Sequence, residues 1–401
     1  MKYHIITIGC QMNKADSERL AYYLDDLGHH WTAERAEADL VVLTTCGVRQ
    51  SAEDRIYGLV KQIKQDKPEV KIVLTGCLVN RPDVRKRLET RIDIWLPITK
   101  LLDLAKDLGQ QPPRVDSDSN EGYLSLPAKY QSKFSAFVPI GNGCNNFCTY
   151  CVVPYARGPE VYRSYQAIIK EIKELVAKGY KEITLIAQNV NSYQSNDYDF
   201  ADLLKIANDI KGDFWLRFAT SHPKDISQKL INIVAQGEKI CQQLHLPAQA
   251  GNNEVLRRMN RQYTIEHYLE LIKNIKQIMP DICLTTDIIV GFPGETDQKF
   301  EQTKELFKQV KYDMAYIVQY SPRYGTTAYK LTDDVPTAVK KTRVEELMSI
   351  LRRTALDNNK RYLGKTVKVL VEQLKDNLGY GHTDTNKHVK FTGVDNDLVG
   401  S

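Results

Sequence analysis

The stretch that decides the fold is Gly141-Asn-Gly-Cys144-Asn-Asn-Phe-Cys148-Thr-Tyr-Cys151. Its three cysteines have the spacing C-x3-C-x2-C and directly follow Ala136–Ile140, an apolar run typical of a strand. Three thiolates in one short loop can hold three irons of a [4Fe-4S] cube. Gly141 and Gly143 let the backbone turn tightly beside such a cluster. The motif therefore predicts a cluster loop that follows a strand.

The fourth iron of that cube has no protein ligand and is free to chelate the amino and carboxylate groups of S-adenosylmethionine (SAM). Electron transfer from the reduced cluster then cleaves a C–S bond and releases a 5′-deoxyadenosyl radical. The cofactors carry this chemistry, while the protein fixes their geometry and excludes solvent. Cys144, Cys148 and Cys151 are therefore the candidate catalytic and SAM-cluster residues.

Two other interpretations of the motif stay open. Structural zinc normally takes four ligands, and no second Cys pair or nearby His completes a zinc site here. A simple [4Fe-4S] electron carrier would need a fourth Cys. The spacing favours the SAM-cleaving cluster over both.

A second set of cysteines lies at predicted strand ends in the N-terminal region. Cys10, Cys46 and Cys77 each follow an apolar run, in Gly9-Cys10, Thr45-Cys46 and Gly76-Cys77. The carboxyl ends of parallel strands share one edge of a sheet, where open α/β folds bind ligands. We expect the three cysteines to meet there and hold an auxiliary [4Fe-4S] cluster, although a lone buried Cys is usually only a small apolar side chain.

The strand and helix patterns predict an α/β chain of three parts. Apolar runs alternating with charged amphipathic stretches indicate a parallel sheet in the first part. Six strand-like runs separated by helices indicate a partial (βα)6 barrel in the second. A small all-β module follows a long basic helix, Thr337–Tyr362. The predicted barrel strands lie near residues 135–140, 182–187, 215–220, 242–247, 283–290 and 312–320.

Composition limits the function classes. The 401 residues are 42% hydrophobic, with no apolar run long enough for a membrane span and no signal peptide. We therefore expect a cytoplasmic protein without a membrane partner, in which the eight cysteines stay reduced. Lys and Arg exceed Asp and Glu by 55 − 50 = 5, which permits a nucleic-acid partner without arguing for one.

Several other residues have plain structural interpretations. We interpret Cys241 and Cys283 as structural thiols, His222 and His245 as structural histidines, and the basic residues of the long helix as a solvated face. The segment Gly291-Phe-Pro-Gly-Glu295 either lines a pocket or turns the chain. No Walker A sequence and no G-x-G-x-x-G are present, which excludes the common nucleotide motifs.

Beyond the cysteines, several further segments carry a resemblance. The chain resembles the methylthiotransferase family of radical SAM enzymes over nearly its whole length, and most of all the MiaB-type tRNA branch. Thr45 departs from the family pattern, which usually has Asn there. The segments are Gly9-Cys-Gln-Met-Asn13, Thr45-Cys-Gly-Val-Arg49, Gly76-Cys77, Gly143 to Gly158, Gln188-Asn-Val-Asn-Ser-Tyr193, Thr220-Ser-His-Pro-Lys224, His245-Leu-Pro-Ala-Gln249, Thr286 to Thr296 and Gln319-Tyr-Ser-Pro-Arg323.

The resemblance implies a domain order and a reaction. It implies insertion of a methylthio group at C2 of an N6-isopentenyladenosine next to the tRNA anticodon. The cofactors that the resemblance implies are two [4Fe-4S] clusters and SAM. The implied partners are the tRNA anticodon loop, an electron donor such as flavodoxin or ferredoxin, and a sulfur donor. The implied parts are an N-terminal cluster domain (1–108), a linker (109–129), a radical SAM domain (130–362) and a TRAM-like RNA-binding module (363–401) that looks short for a complete barrel.

Some site residues follow from position near the predicted cluster. We assign Gln188 to the cofactor site, and Tyr155, Tyr162 and Tyr193 as candidates to stack on the substrate base, although each tyrosine could equally be packing. Other substrates stay open, namely threonylcarbamoyladenosine in tRNA or a ribosomal protein. A cluster-bearing RNA-binding protein without catalysis is the alternative from another class.

Overall fold

The computed structural model describes residues 1–112, 121–393 and 396–401, and its N-terminal region forms a parallel sheet. The strand order is β2-β1-β3-β4-β5, and every pairing is parallel. Strands and helices alternate as the sequence pattern predicts. The elements are β1 Lys2–Thr7, α1 Gln11–Asp26, β2 His30–Trp31, β3 Leu40–Thr45, α2 Gln50–Asp66, β4 Lys71–Gly76, α3 Pro82–Leu88, β5 Ile94–Trp95 and α4 Leu104–Asp107.

Helices cover both faces of this sheet, so its central strand is buried along its whole length. All six residues of β3 are buried, as expected of a parallel strand between two helical layers. Residues Tyr123, Leu124 and Leu126 join the core on one face. These three belong to the segment 109–129 that we interpreted as a linker, so part of that segment packs as N-terminal core. Residues 113–120 of the same segment lie outside the described residues.

The central region contains the six predicted barrel strands in two parallel sheets. The sheet orders are β12-β9-β6 and β13-β14-β15, and a parallel bridge between Leu216 and Ile240 joins their neighbouring edges. The barrel strands are β6 Ser135–Pro139, β9 Glu182–Ile186, β12 Trp215–Ala219, β13 Gln243–His245, β14 Cys283–Val290 and β15 Met314–Gln319. Two short antiparallel pairs lie in the connections, namely β7 Gly141–Asn142 with β8 Val161–Tyr162, and β10 Gln194–Ser195 with β11 Tyr198–Asp199.

Helices wrap the outside of these strands, and most begin at a side-chain cap. Ser164 accepts from the backbone N–H of Ala167, and Asp199 forms a capping box with Asp202. The fold is therefore a partial (βα)6 barrel, as predicted. The helices are α5 Val153–Arg157, α6 Tyr165–Ala177, α7 Phe200–Asn208, α8 Gln228–Gln236, α9 Asn253–Arg258, α10 Ile265–Ile278, α11 Asp297–Val310 and α12 Thr337–Asn359.

Helix α12 confirms the predicted solvated basic face at Lys341, Arg352, Arg353 and the C-cap residue Lys360, and corrects it at two positions. Lys340 and Arg343 are buried, at 3% and 4% exposure, because each has a carboxylate partner. Lys340 binds Asp333, and Arg343 binds Glu295 at 2.8 Å. Glu295 also accepts from the backbone N–H of Gly291, so the Gly291–Glu295 segment is a turn held by a buried ion pair.

The C-terminal module is a three-stranded antiparallel sheet of β16 Val369–Lys375, β17 Leu378–Thr383 and β18 His388–Phe391. It docks on the amino ends of the barrel strands. Arg217 donates to the carbonyls of Thr383 and Asp384, both at 2.6 Å. In the described part of the chain, no helix is both long and apolar enough to span a membrane.

Candidate active site

The loop of Cys144, Cys148 and Cys151 lies at the carboxyl ends of the barrel strands. Gly143 has φ +89°, and a Cβ there would collide with the carbonyl of Pro159. The backbone N–H of Gly143 donates to Oε1 of Gln188 at 2.6 Å. Because Gln188 follows β9, its side chain anchors the cluster loop to the neighbouring strand.

Two side-chain donors face sulfur atoms of this loop. Asn146 donates to Sγ of Cys144, and Arg261 donates to Sγ of Cys148, each at 3.5 Å. Arg261 is 9% exposed and also donates to the carbonyl of Pro247 at 3.0 Å. Donors aimed at sulfur suit thiolate ligands of a cluster, so the residues present fit a bound [4Fe-4S] group.

Burial raises the thiol pKa of two cysteines in this loop. It raises the pKa of Cys144, and it raises that of Cys151 far above its ordinary value, with charge repulsion from Cys148 and Cys144 adding to the effect. Cluster ligands bind as thiolates, so loading of iron must release these protons.

The second triad lies at the edge predicted from the sequence. Cys10, Cys46 and Cys77 follow β1, β3 and β4 at the carboxyl end of the sheet, where the strand order reverses between β1 and β3. Open α/β sheets bind ligands at such a switch point. Cys46 accepts from the backbone N–H of Val48 at 3.4 Å.

The thiols of this triad influence one another. Burial raises the pKa of Cys46, and the charge of Cys77 adds to it. Cys10 is exposed as a residue, yet burial of its sulfur raises the thiol pKa. The charge of Arg157 opposes this increase, and the charges of Cys77 and Cys46 add to it. The three sulfurs therefore share one environment.

Three residues that flank the cysteines, Asn13, Thr45 and Gly76, hold the strand ends of this triad together. Asn13 accepts from the Cys10 thiol at 3.2 Å and donates to the carbonyl of Thr45 at 2.8 Å, linking α1 to the end of β3. The Thr45 hydroxyl donates to the carbonyl of Thr75 at 2.5 Å. Gly76 has φ +87°, and a Cβ there would strike the Thr45 backbone. Thr45, which departs from the family pattern, thus ties β3 to β4.

The two triads are neighbours across the domain boundary. A Cβ placed on Gly47 would stand 3.2 Å from both Cβ of Cys77 and Cγ2 of Val152, the residue after Cys151. The charge of Cys77 also contributes to the raised pKa of Cys151, after burial and the other two ligands of its own loop. Both triads therefore face the same barrel mouth.

A contact on the opposite side closes this arrangement. Arg323, which follows β15, donates to Oε1 of Gln50 at 2.6 Å and to the carbonyl of Val48 at 3.0 Å. The loop after Cys46 is thereby held to the last barrel strand, while α1 packs on the first. The N-terminal domain thus spans the mouth from β6 to β15.

Three buried side-chain oxygens lie on the cluster-loop side of the barrel as candidate contacts for a polar ligand. Within the described residues, the buried atoms Asn189 Oδ1, Ser221 Oγ and Gln249 Oε1 have no hydrogen-bond partner. They follow β9, β12 and β13, on the side of the barrel that carries the cluster loop. Such atoms are costly unless a ligand or water binds them. Oxygen acceptors suit the N–H and hydroxyl groups of SAM, so these residues fit that cofactor.

Backbone strain is concentrated at the same edge. Thr220, Gln249 and Phe147 have φ values of +73°, +66° and +45°. Positive φ is uncommon for residues other than glycine, and it clusters at functional sites where surrounding contacts enforce it.

The three candidate tyrosines occupy different environments. Tyr193 is 2% exposed and donates to the carbonyl of Arg163 at 2.9 Å, a position that favours packing. Tyr162 is half-buried, with its hydroxyl bonded to Glu160 and Ser192. Tyr155 is 50% exposed and meets the exposed ring of Phe147 edge to face.

The other cysteines and histidines also have defined surroundings. Cys241 and Cys283 are buried in the barrel. His222 is buried, and burial lowers its pKa to about 2, so it stays neutral. Among the residues that the structure describes, no three His, Cys, Asp or Glu side chains converge on a point that could hold a single metal ion.

Sequence reasoning missed Arg261, which contacts Cys148, and three residues near the cluster loop whose buried oxygens lack a partner among the described residues. Arg261 lies far along the chain from Cys148, in no motif that we singled out, so no signal could have found it. Asn189, Ser221 and Gln249 lie within segments noted for the family resemblance, where their exact roles had no local signature.

Comparisons with known proteins agree with this geometry. A model of the Radical SAM superfamily matches residues 138–307, and a model described as Uncharacterized protein family UPF0004 matches residues 2–96. The radical SAM methyltransferase TsrM from Kitasatospora setae shares the fold, with a TM-score of 0.57 at 13% identity over 79% of this chain and 72% of that chain.

Two full-length relatives are much more similar. The tRNA-2-methylthio-N(6)-dimethylallyladenosine synthase of Desulforamulus reducens is 44% identical over 413 residues, covering 98% of this chain and 90% of that protein. The enzyme of the same name from Thermoanaerobacter pseudethanolicus is 44% identical over 416 residues, covering 99% and 88%. With both cysteine triads and the barrel in place, the chain belongs to the tRNA-2-methylthio-N(6)-dimethylallyladenosine synthase family of radical SAM proteins.

Proposed function

We propose that this chain is a tRNA methylthiotransferase that inserts a methylthio group at C2 of N6-isopentenyladenosine adjacent to the anticodon. The observation that carries the proposal is the juxtaposition of two cysteine triads at one barrel mouth. Cys77 of one triad lies beside Val152, next to Cys151 of the other. A single radical site would need only one triad, whereas sulfur insertion needs a sulfur source near the carbon that is activated.

This geometry supports the proposed assignment of residues to the two cofactor sites. Cys144, Cys148 and Cys151 would hold one [4Fe-4S] cluster, and Cys10, Cys46 and Cys77 an auxiliary one. When bound, the first cluster and SAM supply a 5′-deoxyadenosyl radical that removes hydrogen from C2, and the second site supplies the methylthio sulfur. Gln188 orients the cluster loop through Gly143, so its role is positioning.

The protein's own contribution is orientation and exclusion of water. Arg323 and α1 hold the N-terminal domain over the barrel mouth, so the reacting centre is enclosed on two sides. Enclosure protects a radical from solvent and holds the reacting atoms at short range. Asn189, Ser221 and Gln249 present buried polar atoms to the bound SAM.

The partners follow from the chemistry. We propose the tRNA anticodon loop as the substrate, an electron donor such as flavodoxin or ferredoxin, a separate sulfur donor, and a cytoplasmic location. RNA recognition commonly stacks unpaired bases on aromatic rings, for which the exposed Tyr155 and its neighbour Phe147 are suited. The C-terminal module would add RNA contacts through exposed residues such as His388 and Lys390.

A parallel substrate assay tests the proposal. Reconstituted protein is offered isopentenylated anticodon stem-loop RNA, the threonylcarbamoylated counterpart and a ribosomal-protein substrate, each with SAM and a reductant in the absence of oxygen. Mass spectrometry should find the methylthio group on the isopentenylated adenosine. Preference for either other substrate would place the chain in another branch, and SAM cleavage without any methylthio product would reject transferase function.

A further inference from the structure

The last strand of the barrel exposes an apolar face toward the barrel interior. Met314, Tyr316 and Val318 alternate along β15 and are 46%, 48% and 42% exposed. The residues between them, Ala315 and Ile317, pack into the core on the opposite face. Alternate residues of a strand point to opposite faces, so the three exposed side chains share the inner face.

A carboxylate lies beside this apolar row. Asp287 of β14 is the register partner of Tyr316, and Ile289 is the partner of Val318. The Asp287 side chain is 37% exposed. It is oriented by His245, whose Nε2 lies 3.4 Å from its Oδ2 and whose ring meets Tyr316 edge to face at 6.2 Å.

The Val318 end of this face lies just below the cluster loop. Tyr150, between Cys148 and Cys151, meets Phe292 at 6.5 Å, and Phe292 meets Tyr320 at 5.1 Å. Phe292 and Tyr320 follow the ends of β14 and β15. Val318 is therefore two residues, roughly 7 Å along the strand, from the end that contacts the cluster loop.

We propose that Asp287, Met314, Tyr316 and Val318, which we call the β14–β15 inner face, bind the N6 substituent of the target adenine and select an isopentenyl group. This inference rests on the proposed function. An alkylated N6 carries one N–H and one apolar chain on the same atom. Its site must therefore place a hydrogen-bond acceptor directly beside apolar surface. Asp287 and Tyr316, register partners on adjacent strands, provide that pair.

The same arrangement disfavours an acidic substituent. A threonylcarbamoyl group carries a carboxylate, which Asp287 would repel at short range in a partly enclosed site. That group would also leave the rings and methyl groups of β15 without apolar contact. The face thus discriminates by attraction and by repulsion.

Binding measurements on the cluster-loaded full chain test this proposal independently of turnover. Anticodon stem-loop RNA is titrated in unmodified, isopentenylated and threonylcarbamoylated forms, and Kd is measured by fluorescence anisotropy without reductant. The variants are Tyr316→Ala with Val318→Ala, and separately Asp287→Asn. Leu356→Ala is the matched control, because Leu356 is 63% exposed on the outer helix α12.

Wild type and Leu356→Ala should bind the isopentenylated RNA at least about tenfold more tightly than the unmodified RNA, since each buried methyl or methylene group contributes about fourfold. The double variant should reduce this ratio to about threefold or less while binding unmodified RNA normally. Asp287→Asn should keep an acceptor and bind threonylcarbamoylated RNA more tightly than wild type does.

An undiminished isopentenyl preference in the double variant would overturn the proposal, as would a wild type without that preference. Neither result bears on the proposed function, which is decided separately by the methylthio product. Conversely, a wild type that fails to form this product would reject the function even if the binding preferences held.

Discussion

Arg157 donates to Oδ2 of Asp16 at 2.6 Å, and both side chains are almost fully buried, at 2% and 0% exposure. Arg157 closes the segment that begins at the SAM-cluster cysteines, whereas Asp16 lies on α1, which begins beside Cys10. Arg157 also bonds Asn142, and Tyr123 donates to Asp16. The pair therefore joins the two cysteine sites through one buried charge network.

Breaking this pair should destabilise the protein strongly. We expect Asp16→Ala to lower the free energy of unfolding by about 3–5 kcal/mol, since it leaves a buried guanidinium without its partner. Urea unfolding of the metal-free protein measures this change. Arg35→Ala is the control, because its pair with Asp66 is solvent-exposed and should contribute less than about 1 kcal/mol. Equal effects of the two variants would contradict the structural role of Arg157.

Arg261 should influence the SAM-cluster potential. Its guanidinium is buried and donates to the Cys148 sulfur, and positive charge or hydrogen bonds near cluster sulfurs favour the reduced state. Arg261→Gln should therefore shift the midpoint potential to more negative values in an EPR-monitored redox titration, while Arg261→Lys retains part of the effect. Exposed Arg257→Gln is the control. A midpoint unchanged in Arg261→Gln would show that the contact is only structural.

Much of the fold could be predicted from local patterns. The buried run Leu40–Thr45 and the helix caps at Ser164 and Asp199 have short-range signals that tertiary contacts do not override. The cysteines were located by the same reasoning, since strand ends meet at one sheet edge.

Long-range electrostatics set the limit of that prediction. In the sequence, Lys340 and Arg343 look like solvated helix residues. Their burial depends on two carboxylates outside the helix, since Lys340 pairs with Asp333 across a turn and Arg343 pairs with the distant Glu295. Arg261 contacts Cys148, and Asp16 contacts Arg157 after the SAM-cluster loop, and each contact joins residues more than 100 positions apart in sequence. Tyr193 follows the end of β9 on the cluster-loop side of the barrel, but its side chain is buried in the barrel core, and a sequence pattern does not reveal that burial.

Docking of the C-terminal module should weaken at alkaline pH. His382 bonds Glu182 at 2.7 Å and Glu372 at 3.3 Å, with Arg217 also facing Glu182. Burial lowers the pKa of His382, but its bond to Glu182 and the Glu182 charge outweigh this, so the pKa is raised above 6.5. Its stabilising contribution is therefore complete below pH 6.5 and is lost as pH rises through the higher folded-state value.

Urea unfolding at several pH values measures this dependence. Wild type and His388→Gln, a variant of an exposed histidine on β18, should lose stability above pH 6.5. His382→Gln should be less stable below that pH and lack this loss. Burial raises the pKa of Glu182, but His382 and Arg217 outweigh this effect and lower that pKa from 4.5 to about 2. The stabilising contribution of Glu182 is therefore complete above pH 4.5 and is lost as the pH falls toward 2. A His382→Gln profile parallel to that of wild type would contradict this linkage.

Iron content should divide between the triads. Anaerobic reconstitution should load about eight irons, and replacing Cys144, Cys148 and Cys151 by Ala should remove about half of them. The same loss is expected for Cys10, Cys46 and Cys77. Replacing Cys241 and Cys283, which are buried away from both sets, provides the control and should leave iron content unchanged. Full iron loading in either triple variant would show that its cysteines are not ligands.

The two triads have separate tasks in this account, and one paired measurement tests that division directly. The variant with Cys10, Cys46 and Cys77 replaced by Ala is incubated with SAM, reductant and isopentenylated stem-loop RNA, and 5′-deoxyadenosine and methylthio product are quantified together. We predict continued formation of 5′-deoxyadenosine with no methylthio product. Methylthio product at the wild-type level would contradict the account, because these three cysteines would then be only core residues.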